Sequence, residues 1–350
     1  MIDPAATPDA LPDRLATLDI LRGLAALGVC LGHFAIGVLG GVKYEAAIPL
    51  LSLGFYGVPI FFVISGFVLP LSLERGGYTL RGAPIFLARR LTRIGPPAWI
   101  TIIGSVALFF LLDRVKGGAP FWSADLSPAR LAHNLAFTIP FTSQSWINGV
   151  LWTLSVELQY YLFLALVFPL AFRSGRTMAL TALLLWCAYY LPVPKAQTFL
   201  LHNLAFLIGG LVFMFRAGRV GRVELYAGLA ALTLAAGWRI GVGEAAASLV
   251  AALVILHADL RFRVGAFLGR ISYSLYLIHW MTGLVLANVI IRFVPPTGAA
   301  ARLFLYLACL AGTLIAAWVF YRVVERPSLV LAKRIGGRSR GRAQTADPPL

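Results

Sequence analysis

The sequence predicts an all-α, polytopic membrane bundle of about ten transmembrane helices with both ends of the chain in the cytoplasm. Three observations carry that prediction. The 350 residues are 59% hydrophobic and only 13% charged, with a mean hydropathy of +0.83. Apolar runs near twenty residues, the length that crosses a ~30 Å hydrocarbon core, recur along the whole chain. The basic residues are also shared unevenly between the two sides that those runs define.

The opening residues, 1–17, are polar and Pro-rich with no apolar signal-peptide core, and read as a cytoplasmic segment. Apolar segments follow at 18–40, 50–73, 95–112, 147–171, 177–192, 197–215, 223–240, 244–258, 268–293 and 302–324. The loop before the third ends Gly95-Pro96-Pro97, expected to break the chain as that segment begins. The longest connection, Asp113 to Trp146, carries Trp122 and His133 and is expected to form a lid or a surface-lying segment on the outer side. Residues 18–327 thus make one transmembrane domain, and 328–350 a basic, disordered cytoplasmic tail.

With the N-terminus inside, 22 of the 30 Lys and Arg residues fall on the inner side and 8 on the outer. That split supports ten spans. The net charge of +16 is therefore a topology signal, and the run from Lys333 to Arg340 suits anionic lipid rather than nucleic acid. Cys30, Cys187 and Cys309 each sit in an apolar run and read as packing residues, without disulfide or metal-ligand spacing.

Ionisable residues inside a membrane helix are costly to keep, which makes them functional candidates. The first segment carries Asp19, Arg22 and His33. Eleven helical steps of ~100° return to within ~20° of the start with ~16 Å of rise, so Arg22 and His33 share a face, about half a bilayer apart. In the fourth segment Thr153, Glu157 and Tyr161 form an i, i+4, i+8 polar stripe. Glu157 and His33 are expected at similar depth, where a carboxylate beside an imidazole raises its basicity and holds its tautomer. A Glu–His or Glu–Tyr bond that only fixes helix packing is the alternative.

Arg90 and Arg93, at i and i+3, can present two guanidinium forks to a phosphate-bearing ligand, or simply serve the positive-inside bias. In the ninth segment Ser272, Tyr276 and His279 make a third polar face. His279 there either lines a substrate path or bonds neighbouring helices. His133, His202 and His257 receive no role.

Together these segments resemble the acyltransferase-3 family of membrane acyltransferases. The likeness lies in Leu18-Asp19-Ile20-Leu21-Arg22-Gly23, the Arg22-to-His33 spacing, and the run Phe61 to Phe67. It continues through Arg90-x-x-Arg93, Ser155-x-Glu157-x-x-x-Tyr161, Gly269 to His279, and Glu325-Arg326-Pro327. These motifs, in order, cover nearly the whole chain. Gly95 departs from the pattern, since an aromatic residue often follows Arg-Ile in the family.

The resemblance implies transfer of an acyl group, usually acetyl from acetyl-CoA, to a hydroxyl of a carbohydrate such as an exported glycan. It implies a multi-pass protein of the bacterial inner membrane, with acyl-CoA as donor substrate, a carbohydrate acceptor, lipid contacts, and no permanently bound cofactor or metal. Under it, His33, Glu157 and Tyr161 are the catalytic candidates and Arg22, Arg90 and Arg93 bind the donor. Asp19, Ser155, Tyr276 and His279 are then candidates for acceptor binding. The competing class is a transporter or flippase of a sugar-containing substrate, using membrane His and Glu as a proton relay. No inverted repeat supports it, and acyl-CoA consumption separates the two.

Overall fold

The computed structural model describes residues 12–37, 53–117, 123–295 and 297–336, which form helices and turns without strands. The helices are α1 (Pro12–Gly37), α2 (Gly57–Arg75), α3 (Ala83–Lys116), the short α4 (Pro128–Leu135), α5 (Trp152–Ala171) and α6 (Gly175–Ala188). They continue as α7 (Phe199–Arg216), α8 (Arg222–Arg239), α9 (Val242–His257), α10 (Arg263–Phe293), α11 (Ala299–Phe320) and α12 (Arg326–Arg334). A π-helical turn, Tyr321–Glu325, joins the last two.

Each predicted segment, where described, falls on a helix, but not all of these helices are long. Seven helices, α1, α2, α3, α5, α7, α10 and α11, are long and apolar enough to cross a membrane, while α6 and α9 are shorter apolar helices. Leucines such as Leu166, Leu170 and Leu234 stand exposed on the outside, as expected where the surrounding solvent is hydrocarbon. The chain is a polytopic helical membrane protein.

Glycines allow two close helix crossings. A Cβ on Gly23 would collide with the backbone of Leu268 and Gly269, and one on Gly269 with the backbone of Asp19. Gly66 of α2 and Gly209 of α7 stand in the same reciprocal relation, against Phe206 and Val63. Without a hydrophobic drive between helices in lipid, such small residues let backbones approach and dispersion hold them.

One end of the bundle collects both ends of the described chain. There Thr17 Oγ1 accepts from the Leu260 N–H at 2.9 Å, and Arg89 Nε donates to the Ile335 carbonyl at 2.7 Å. Arg219 pairs with Glu74 and donates to the Phe172 carbonyl at 2.6 Å at this same end. We refer to it as the basic end.

Three expectations change. Gly95-Pro96-Pro97 does not break the chain: α3 runs through it unbroken, so Arg89, Arg90 and Arg93 lie on a helix rather than in a loop. The prolines lack the N–H groups that would bond the Thr92 and Arg93 carbonyls. Side chains bond the backbone next to them: Tyr273 Oη donates to the Ile94 carbonyl at 2.7 Å and Thr101 Oγ1 to that of Pro97 at 2.9 Å.

The tail is not disordered from residue 328, because α12 continues to Arg334 and packs on α3; residues 337–350 lie outside the described residues. The connection after α3 is neither an open lid nor a flat segment where described; Trp122 falls outside. From Ser123 onward it is a folded cap around buried Asn134, which donates to the Arg130 and Ser145 carbonyls and accepts from the Ile147 N–H. Trp146 Nε1 ties the cap to Gln197 at 2.6 Å.

Candidate functional site

A cavity of about 90 Å³ lies among α1, α2, α3, α5 and α10. Its polar lining is Arg22, Ser65, Arg90, Arg93, Thr153, Glu157, Tyr161, Ser272, Tyr273 and Tyr276, set among apolar side chains such as Phe61, Phe62 and Ile94. A larger cavity, about 510 Å³, opens beside it at the basic end. Arg90 and Arg93 line both, so the two adjoin. We call them the chamber and the vestibule.

The helical period explains who lines the chamber. Thr153, Glu157 and Tyr161 recur every four residues on α5 and all face it. Because α3 stays helical through Arg89–Pro97, Arg90 and Arg93 present one face, three residues apart. Arg22 arrives from α1 at the Gly23–Gly269 crossing, which brings Ser272 and Tyr273 to the same wall.

Three arginines and one carboxylate line the chamber. The Glu157 Oε1 accepts from Tyr161 Oη at 2.6 Å and from Ser65 Oγ at 3.3 Å. Among the described residues no carboxylate forms an ion pair with Arg22, Arg90 or Arg93. Arg90 lies over the rings of Phe86 and Tyr161, 5.5 and 5.9 Å from their centroids, and donates to Ser72 Oγ at 3.4 Å. Guanidiniums withdrawn from water without a carboxylate are costly, and an anionic ligand offsets that cost.

The vestibule is lined by Arg89, Arg90, Arg93 and Lys333, with no acidic residue in its wall. Its other walls are the Gly76–Gly77 turn, Tyr78, Phe86 and α12. Tyr78, in the turn before α3, donates to the Ala165 carbonyl at 2.6 Å, and burial raises its pKa above the ordinary phenol range.

His33 sits three turns along α1 from Arg22 and is not in the chamber lining. Its Nδ1 lies 3.0 Å from the Val29 carbonyl and 3.0 Å from Nε2 of His279. Phe55 and Trp280 stand edge-on to it, with ring centroids 4.8 and 5.4 Å away. The expected pairing of His33 with Glu157 does not form. Glu157 is held instead by Ser65 of α2 and by Tyr161 of its own helix, and the partner of His33 comes from α10.

Tyr276 belongs to both places. It lines the chamber, and its ring lies 5.9 Å from that of His279 and 5.7 Å, edge-on, from that of Phe61. Thr153 Oγ1 donates to its hydroxyl at 2.9 Å, and that hydroxyl donates to the Val150 carbonyl at 3.1 Å.

Two proposed acceptor-binding residues lie elsewhere. Ser155 is buried and donates to the Phe137 carbonyl at 2.7 Å, so its hydroxyl holds the outer cap instead of facing the chamber. Asp19 is exposed at the α1–α10 crossing and does not line the chamber. Conversely, sequence reasoning gave no role to Ser65, Tyr273 or Glu325. Glu325 is buried and accepts from the Ser274 N–H and Oγ at 3.1 and 2.6 Å. A carboxylate just past a long apolar run was the available signal for it. Among the described residues no His, Cys, Asp and Glu cluster is placed to hold a metal ion.

Comparison with known proteins is consistent along the chain. The acyltransferase-3 family model, described as an acyltransferase domain, matches residues 15–322. BcsY of Komagataeibacter xylinus, named as a membrane-bound transacylase, is 29% identical over 95% of this chain and 88% of its own length. The acyltransferase MdmB of Streptomyces mycarofaciens is 29% identical over 96% of both chains. The exopolysaccharide production protein ExoZ of Rhizobium meliloti is 29% identical over 83% of this chain and 95% of its own. No solved structure matches significantly.

Proposed function

This chain belongs to the acyltransferase-3 family and is a membrane-bound O-acyltransferase, and from that premise we propose that it moves an acetyl group from acetyl-CoA to a hydroxyl of an exported or cell-surface glycan. One observation carries the donor assignment: three arginines that no carboxylate among the described residues pairs with line adjoining cavities at the basic end. That end faces the cytoplasm by the positive-inside rule, where coenzyme A is found. In this reading the vestibule takes the nucleotide phosphates on Arg89, Arg90, Arg93 and Lys333. The pantetheine arm then runs through the chamber past Arg22 toward the outer half of α1. The name of ExoZ, an exopolysaccharide production protein, supports a polysaccharide acceptor.

The chemistry follows from His33. As a base it takes the proton of the acceptor hydroxyl while that oxygen attacks the thioester carbonyl. The C–S bond breaks, the new C–O bond remains, and the imidazolium returns its proton to the departing thiolate. Holding both reactants supplies much of the acceleration, through the lost need to bring them together. Glu157 in this scheme orients Tyr161 and Ser65 and balances the arginine charge, and does not act on His33.

Two measurements test the reading together. Purified protein given acetyl-CoA and an acceptor glycan is expected to release free thiol. Surface glycans of cells with the protein are expected to carry added acetyl mass that cells lacking it do not. The His33→Ala variant is expected to lose transfer by ~10²-fold or more while staying folded. Full activity in that variant overturns the base assignment; no acetyl-CoA consumption by wild-type protein overturns the donor.

A further inference from the structure

The two histidines that meet between α1 and α10 carry a hydrogen-bond pattern with one solution. Nδ1 of His279 lies 2.8 Å from the Tyr276 carbonyl and 3.2 Å from that of Leu275. A carbonyl oxygen only accepts, so this nitrogen must carry hydrogen. In a neutral imidazole the other nitrogen, Nε2, is then an acceptor. That Nε2 faces Nδ1 of His33 at 3.0 Å, so the His33 Nδ1 must be the donor. The Val29 carbonyl, 3.0 Å from the same nitrogen, requires the same assignment.

The reverse arrangement satisfies the contact between the two rings but fails at the other three. It would set a lone pair of His279 against two carbonyl oxygens and a lone pair of His33 against a third. Tautomers are assigned from such networks rather than observed, and here all four contacts agree. His279 is completely enclosed, with 0% exposure, so water does not supply an alternative partner.

We infer that His279 is a positioning residue: it holds His33 as the Nδ1–H tautomer, leaving His33 Nε2 as the basic nitrogen that meets the acceptor hydroxyl. No described residue bonds His33 Nε2. A half-turn of the ring about χ2 would put a C–H where Nδ1 now bonds two acceptors, so the pair of acceptors also fixes the ring's orientation. Val29, on the same helix, is one acceptor; His279 supplies the other from a different helix, coupling the base to the α1–α10 crossing. The neutral His279 does here what a carboxylate does for histidine in other sites: it orients the ring and accepts from the imidazolium that forms. The chemical role of Nε2 rests on the acyl-transfer reading, whereas the tautomer does not.

The test separates the two. In protein carrying ¹⁵N-histidine, with His133, His202 and His257 replaced by Gln to simplify the spectrum, His33 is expected to show protonated Nδ1 and unprotonated Nε2. A proton on Nε2 overturns the inference whether or not the protein transfers acetyl groups. In transfer assays His279→Gln, whose side-chain oxygen reaches the position of Nε2, is expected to keep most of kcat. His279→Asn, which reaches only the position of Nδ1, and His279→Leu are expected to lose ~10²-fold in kcat with the donor KM unchanged. Equal losses in Gln and Asn, or full activity in Leu, overturn it. If wild-type protein is inactive toward acetyl-CoA, the reading of function fails while the nitrogen spectrum still decides the tautomer.

Discussion

Arg93 differs from an ordinary inner-face cation because it faces two cavities and no carboxylate among the described residues pairs with it. A charge-assisted hydrogen bond contributes ~1.5–3 kcal/mol, so removing one that binds the donor weakens affinity by roughly ten- to a hundredfold. Arg93→Ala is accordingly expected to raise the KM for acetyl-CoA by that factor. The same variant is expected to leave the KM for acetyl-pantetheine, which lacks the nucleotide phosphates, unchanged. Equal effects on both donors would place Arg93 in packing instead. At this scale the sequence was a good guide to which residues matter and a poor one to their partners. Arg22, Arg90, Arg93, Glu157 and Tyr161 meet at one cavity, as spacing on their separate helices allows but does not require. Glu157 was expected beside His33 because depth was the only coordinate that spacing supplied; azimuth between helices was missing.

Two long helices hold the site, and their crossing is made by hydrogen atoms where other residues have side chains. Gly23 and Gly269 each press on the opposite backbone, so α1 delivers Arg22 and His33 while α10 delivers Tyr273, Tyr276 and His279. Gly269→Val is expected to force the helices apart, at a cost of ~1–3 kcal/mol or more from overpacking. The readouts are a lowered unfolding temperature in detergent and loss of transfer together; a stable, fully active variant would show that the crossing is not needed. Element boundaries were legible wherever hydropathy alone decides, as at the C-terminal ends of α5, α7 and α10. They were not legible at α3, since Pro96 and Pro97 are helix breakers unless neighbours bond the backbone around them, and Tyr273 is far away in sequence.

For the whole molecule, orientation is the property on which donor access depends. In a Cys187→Ser background, which removes the exposed cysteine and keeps the buried Cys30 and Cys309, Leu191→Cys and Lys333→Cys report opposite ends of the bundle. A membrane-impermeant maleimide applied to intact cells is expected to label the first and spare the second. Labelling of Lys333→Cys alone would invert the topology and remove the vestibule from the cytoplasm. The sequence by itself determined the fold class, where the apolar helices lie, the uneven spread of positive charge and the family motifs. Each of these depends on composition or on one helix's own period, which local sequence carries. Only the tertiary structure decided that the arginines enclose adjoining cavities, that Ser155 is spent on the outer cap, and that His33 bonds His279 and not Glu157. Those are relations between helices far apart in the chain, set by how closely glycines let backbones approach and by which face each helix turns to its neighbour.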